Sequence, residues 1–214
     1  MEILIATGNA GKAREFREML GSDRFDWTDL SRFATLQPVE ETGSTFRENA
    51  CLKASEYARQ ARMWTLADDS GLEVDALDGK PGVHSARWAQ LNGSGSGDAD
   101  NNDTLLRQLR DVPDEKRTGR FVCVLALANP SGTTLLTARD TVEGKILRSP
   151  RVSNGFGYDP LFLITELGQT TAQLPSDQKH QISHRGKALR RLRLLMEQLG
   201  ELEQPMPSRR MVGA

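Results

Sequence analysis

The chain has 214 residues, long enough for one large domain to bury a substantial core without a second. Its 28 basic and 29 acidic side chains leave a formal net charge of -1, so no basic face is available to coat a polyanion, and stable nucleic-acid binding is excluded as the main activity. Cys51 and Cys123 lack any spacing that suggests a zinc site or a disulfide framework and read as reduced core residues, and no run approaches the roughly 20 apolar residues of a membrane span.

Residues 2 to 7 read as a short buried strand. Gly8-Asn9-Ala10-Gly11-Lys12 breaks it before Arg14 to Leu20 take up helical periodicity through Phe16, Met19 and Leu20. A loop of this composition at a helix amino terminus offers several N–H groups and a lysine to a phosphate. It is not a Walker A loop, because only two residues separate Gly8 from Gly11 and Ala13 supplies no metal-binding hydroxyl. An ordinary turn with a surface lysine gives the same pattern. No basic segment followed by an apolar signal core is present here, so cytoplasm is the expected compartment.

A second strand is expected around Phe25 to Thr28. After Glu40-Glu41-Thr42-Gly43, Thr45 and Glu48 fit a capping box that opens a helix running to about Met63. Phe46, Ala50, Ala54, Ala58 and Ala61 fall on one face and predict core contact. Asn49 and Lys53, four apart, share another face and can reach a cleft near the helix start.

Trp64 to Ala67 is an apolar run that stops on Asp68-Asp69-Ser70-Gly71 and reads as a strand ending in a turn. Adjacent carboxylates repel, and alternating side-chain directions at a strand would point the two acids apart. Leu72 to Leu77 alternates like a strand with one wet face, and Gly79 to Gly82 turns the chain. Arg87 beside Trp88 is either a phosphate-facing group or a stacked surface pair. Residues 92 to 101, rich in glycine, serine and acids, read as a mobile loop or lid edge.

Asn102 to Arg110 predicts a short helix, Arg120 to Asn129 a strand inside a sheet, and Thr133 to Ile146 a pair of strands that meander with it. In Ser153 to Pro160 aromatic rings alternate with glycines, leaving ring faces open to a flat ligand such as a base. Residues 172 to 179 read as a polar connection. Ser183 caps a last helix with Leu189, Leu192, Leu195, Met196 and Leu199 along one face. His184 and Arg185 fall in its first turn, where the helix dipole disfavours cations, which hints at a role beyond helix stability. Residues 1–200 are expected to form a single domain and 201–214 a frayed tail.

Six stretches taken together resemble the inosine triphosphate pyrophosphatase family. They are Thr7 to Lys12; Glu40 to Gly43 with Thr45 to Ala50 and Lys53; Ala67 to Leu72; Pro81-Gly82 with Ser85 to Arg87; Gly155 to Pro160; and Ser183 to Gly186. The resemblance runs from residue 3 to about residue 198. It implies a two-lobed α/β fold with a long, curved mixed sheet, a cleft between the lobes, a homodimer, and Mg²⁺-dependent hydrolysis of a nucleoside triphosphate to the monophosphate and pyrophosphate. By position it implies Asp69 as general base and metal ligand, Glu40 as metal ligand with Glu41 as substitute, and Asp68 as a supporting acid. Thr7, Gly8, Asn9, Ala10, Gly11, Lys12, Lys53, Ser70 and Arg87 would hold the triphosphate. Phe156, Gly157, Tyr158, Asp159, Lys179, His184 and Arg185 would form the base pocket.

The residue types suit that chemistry. Mg²⁺ takes hard oxygen ligands and keeps several waters, so a few carboxylates and phosphate oxygens complete its shell. Arg185 and Lys179 only donate, which favours the 6-oxo purines hypoxanthine and xanthine over adenine with its amino group. The alternatives are a pyrophosphatase for other modified nucleotides and a nucleotide sensor without turnover. Loss of Asp69 or Glu40 would mark the sensor, and both are present.

Overall fold

A computed structural model of the chain describes residues 2–20, 25–152 and 154–202. Seven strands form one mixed sheet in the order β2-β1-β3-β4-β5-β6-β7. β1 (Glu2–Ala6) lies between β2 (Asp26–Asp29) and β3 (Trp64–Val74) and runs parallel to both. From β3 onward, β4 (Thr118–Ala128), β5 (Thr134–Ile146), β6 (Phe162–Ile164) and β7 (Gln169–Thr170) pair antiparallel. Six helices complete the α/β fold: α1 (Ala10–Met19), α2 (Phe46–Ala61), α3 (Trp88–Leu91), α4 (Asp98–Gln108), α5 (Ser176–Ile182) and α6 (His184–Leu202).

Strand alternation sorts the core into layers. Ile3, Ile5, Leu66, Leu125 and Leu127 face α1 and α6 and pack with Phe16, Leu189, Leu192 and Met196. Leu4, Ala6, Ala67, Val122, Val124 and Ala126 face the other way onto Phe46, Ala50, Ala54 and Ala58 of α2. The alanine-rich face expected of α2 lets the helix approach the sheet closely, and its Thr45–Glu48 capping box forms on both sides. Loss of such a cap costs about 1 kcal/mol. The long strands β3, β4 and β5 then extend beyond these layers into a second lobe, where Leu72, Val74, Phe121 and Val142 pack with Leu105, Leu109, Tyr158 and Phe162.

The structure corrects four expectations. Asp68 to Gly71 is not a turn at a strand end: β3 runs unbroken for 11 residues, with Asp68, Asp69, Ser70 and Gly71 paired to Leu125, Val124, Cys123 and Val122. The ladder satisfies the main chain, and cations from three helices neutralise the acids, so the strand can continue. Thr134–Ile146 is one long strand rather than a pair, because β4 pairs along nearly all of it. The segment read as mobile, 92 to 101, turns into α4 from Asp98, and Asn101 there is 1% exposed. The connection 172 to 179 contains most of α5.

Ser183 does cap the last helix, accepting from Gly186 N–H at 3.1 Å. Both cysteines are free, Cys123 buried and Cys51 half-buried. Among the described residues no helix is long and apolar enough to cross a membrane. Of the expected tail, residues 203–214 lie outside the described residues, and 201–202 close α6.

Candidate active site

The site grows from the end of β1. Ala6 is in parallel register with Ala67, so the loop that follows continues alongside Asp68 and Asp69. Thr7 Oγ1 accepts from Asn9 N–H at 3.2 Å, and Asn9 caps α1 by accepting from Lys12 N–H at 3.0 Å. Lys12 is thereby placed one turn into α1, where its ammonium pairs with Asp68. Because the helix starts at Ala10, the loop itself is only Thr7, Gly8 and Asn9.

Asp68 points to the α1–α6 face and is buried. Besides Lys12 it accepts from Arg185 Nε at 3.0 Å, Ser70 Oγ at 3.0 Å and Cys123 Sγ at 3.1 Å. Four donors match the roughly four lone-pair sites of a carboxylate, so Asp68 is saturated. Burial by itself would raise its pKa, but Arg185 and Lys12 overcome that and hold it well below the usual carboxylate range.

Asp69 points the other way, toward α2. Lys53 Nζ donates to Asp69 Oδ1 at 3.1 Å and to Glu41 Oε1 at 2.6 Å. Asp69 Oδ2 is buried and has no hydrogen-bond partner among the described residues. Burial pushes the Asp69 pKa up; Lys53 and Lys12 pull against it, while Glu41 and Asp68 add to the rise. Glu41 therefore stands beside Asp69, whereas Glu40 is exposed and forms no ion pair among the described residues. An orphaned buried carboxylate oxygen with a second carboxylate nearby is a donor set suited to Mg²⁺, which is commonly bound by one or two carboxylates plus substrate phosphate. No group of three or more metal-binding side chains occurs among the described residues, so such an ion would depend on those phosphates.

On the Asp68 side, a cleft is lined by Asn9, Lys12, Ser70, Phe156, Lys179 and Arg185, among others. Arg185, 1% exposed, uses its guanidinium on Asp68, on Glu15 and on Ser70 Oγ, the last at 2.7 Å. Lys179 Nζ donates to Asp159 Oδ2 at 2.6 Å and pairs with Glu15 at 2.7 Å. Both cations lie over the Phe156 ring, Lys179 Nζ 5.1 Å and Arg185 Cζ 5.8 Å from its centroid. The main chain of Gly11 also approaches that ring: a Cβ there would stand 2.6 Å from Phe156.

His184 is neutral, since burial and then Arg185 push its pKa well below the ordinary value. It stacks on Phe121 with centroids 4.9 Å apart and planes at 18°, and its Nδ1 is buried without a partner. The expected penalty for two cations at the start of α6 therefore does not arise. His184 carries no charge, and Arg185 is matched by Asp68 and Glu15.

Most of the expected residues converge here, with exceptions. Arg87 ends the 3-10 helix Gly82–Arg87, outside the cleft lining, and Trp88 instead donates to Gln108 Oε1 at 2.9 Å. Tyr158 does line the cleft, but it is 3% exposed and its hydroxyl donates to Ser85 O at 2.8 Å. Ser70 Oγ is committed to Asp68 and Arg185 rather than standing at a turn tip. Asp69, Lys53 and Glu41 lie on the other face of β3 and are not part of the cleft lining. Gly71 in the same motif leaves room for Ser85: a Cβ would lie 2.4 Å from Ser85 Oγ, which accepts from Leu72 N–H.

Glu15 was missed by sequence reasoning. It follows Lys12 by three residues, hence on the same face of α1, and that spacing is the signal that could have found it. Asp98 was missed because its segment read as a loop.

A mixed α/β sheet that sets a phosphate-type loop between two oppositely directed carboxylates, beside a cation-ringed aromatic cleft, defines a class of nucleotide-handling enzyme. The profile of the Ham1 family matches residues 3–195, and the chain belongs to that family. It is 55% identical over 192 residues to a dITP/XTP pyrophosphatase of Exiguobacterium sibiricum, covering 90% of this chain and 95% of that one. To a dITP/XTP pyrophosphatase of Bacillus cereus it is 48% identical over 194 residues, covering 89% and 92%. Among solved structures, a HAM1 protein from Coxiella burnetii superposes with a TM-score of 0.82 at 38% identity, over 92% of this chain and 99% of that one. The Staphylococcus aureus Ham1 protein gives 0.80 at 40% identity, over 93% and 100%.

Proposed function

We propose that this Ham1-family enzyme hydrolyses the non-standard purine nucleoside triphosphates dITP, ITP, XTP and dXTP to the monophosphate and pyrophosphate, removing them from the pool that feeds DNA and RNA synthesis. The observation that carries the reading is the division of Asp68 and Asp69. One is saturated by cations of the cleft, and the other keeps a buried, unpartnered oxygen beside the phosphate loop.

Asp69 takes the proton from the attacking water, as the carboxylate that keeps a buried oxygen free of protein donors among the described residues. Lys53 holds Asp69 in place and, with Lys12 and the N–H groups of Gly8, Ala10 and Gly11, meets the charge that grows on the departing phosphates. Arg87, half-buried at the end of the 3-10 helix and outside the cleft lining, would meet the same phosphates only by turning toward them. Glu41 and Asp69 would hold Mg²⁺, with Glu40 on the exposed flank; when bound, the ion supplies neutralising charge to the pyrophosphate leaving group. On the other face Phe156 stacks on the purine, while Lys179 and Arg185, both obligate donors, face a carbonyl at position 6.

Residues 1–200 suffice as one catalytic domain, since every residue given a role lies within them. We place the enzyme in the cytoplasm as a homodimer. Hydrolysis of dITP in water labelled with heavy oxygen tests the reaction: label in the monophosphate alone supports attack at the α-phosphorus, and label in the pyrophosphate contradicts it.

A further inference from the structure

Phe156 has to stand at one height above the phosphate loop if a base is to stack on it. Inside its own loop, Phe156 N–H is held by Asp159 Oδ2 at 3.0 Å. The next peptide groups are held from outside, by α4. Asp98 Oδ2 accepts from Gly157 N–H at 2.6 Å, and Asn102, one turn further along the helix, donates from Nδ2 to Gly157 O at 2.9 Å. One helix face thus grips a single residue by both of its main-chain groups.

The helix is a firm support. Asn101 Oδ1 accepts from Ala89 N–H at 2.8 Å and its amide donates to Ala86 O at 3.1 Å. Leu105 and Leu109 are completely buried in the second lobe. Asp98 also lines the cleft itself, so the grip lies at its wall beside Phe156 and Gly157.

We propose that Asp98 and Asn102 are positioning residues for the base-binding loop, with α4 fixing Gly157 and through it the Phe156 ring. The reading of the kinetics rests on the function proposed above. The alternative role for Asp98, a negative charge that favours a helix amino terminus, makes a different demand. The grip needs an acceptor at position 98 and a donor at position 102, whatever their charge. A helix-terminus charge needs the carboxylate and is indifferent to position 102.

Asp98→Ala, Asp98→Asn, Asn102→Ala and Asn102→Asp are compared by kcat and KM for dITP, and by hydrogen exchange of the amides in 154–159 in the nucleotide-free enzyme. Asp98→Ala is expected to raise KM roughly tenfold, the loss of one hydrogen bond, with kcat within about twofold. Its loop amides should exchange faster. Asp98→Asn, which keeps an acceptor, recovers most of both, while Asn102→Ala and Asn102→Asp each raise KM because neither donates.

If Asp98→Asn is as impaired as Asp98→Ala, the charge and not the grip matters, and the proposal is overturned. Unchanged KM and exchange in Asp98→Ala overturn it equally. A wild-type enzyme inactive on dITP would count against the proposed function alone, because loop exchange still decides the grip.

Discussion

Asp68 and Asp69 are adjacent in β3, yet their side chains stand on opposite faces of the sheet and in opposite electrostatic states. Asp68 is encircled by Arg185, Lys12, Ser70 and Cys123 and is held ionised. Asp69 shares Lys53 with Glu41, has one orphaned oxygen, and has its pKa raised by burial. The strand's alternation divides one acidic dipeptide into a support for the base cleft and a base for the water.

Replacing Asp69 by Asn keeps shape and removes the base. We expect kcat for dITP to fall by about 10²–10⁴, the usual contribution of a general base, while the Kd measured by calorimetry stays close to wild type. Turnover close to wild type would remove Asp69 from the catalytic role.

Gly11→Ala acts through contact. The new Cβ would press on the Phe156 ring from 2.6 Å, and the ring is the part able to move. KM for dITP should rise, and thermal stability should change by less than about 1 kcal/mol, as for a surface helix substitution. An unchanged KM would mean that the ring's position does not govern binding.

Glu15 is the buried carboxylate that joins the two base-facing cations to α1. Burial would raise its pKa, but Arg185 and Lys179 bring it from 4.5 down to about 2. Because the folded value lies below the unfolded one, the stabilisation is fully present above pH 4.5 and is lost as the pH falls toward 2. The gain is on the order of 3 kcal/mol. Urea unfolding followed from pH 5 downward should show that slope in wild type and a shallower one in Glu15→Gln; parallel slopes would contradict the assignment.

Arg185→Ala leaves Asp68 and Glu15 facing each other without their shared cation. Breaking a buried pair in this way costs about 3–5 kcal/mol. The melting temperature should drop by roughly 10 °C for a chain of this size, a shift that calorimetry reads directly. A drop of only a degree or two would show the network to be relaxed by water.

Much of this was legible in the sequence. The capping box at Thr45 and Glu48, the Ser183 cap and the apolar faces of α2 and α6 are local signals, and local signals survive folding. The motif residues gather because the loop after β1 runs parallel beside Asp68. What was not legible depended on pairing. Asp68 to Gly71 read as a turn because the sequence does not reveal that β4 lies alongside to continue the ladder or that Arg185 arrives from far along the chain. Residues 92 to 101 read as mobile from their glycines and acids, but Asn101 and Asp98 are fixed by partners at Ala86, Ala89 and Gly157. The resemblance puts Glu40 ahead of Glu41 as metal ligand, and nothing in the spacing reveals that Lys53 brings Glu41, not Glu40, to Asp69.

The most direct test of the central claim is kcat/KM measured by pyrophosphate release for dITP, XTP, dGTP and dATP side by side, in Mg²⁺. The account predicts that dITP and XTP exceed dATP by at least roughly a hundredfold, because a site built to hydrogen-bond a 6-oxo group rejects an analogue that lacks it, and that they also exceed dGTP, which shares the 6-oxo group and differs from hypoxanthine by its 2-amino group. Comparable values for dATP, or orthophosphate in place of pyrophosphate, would contradict it.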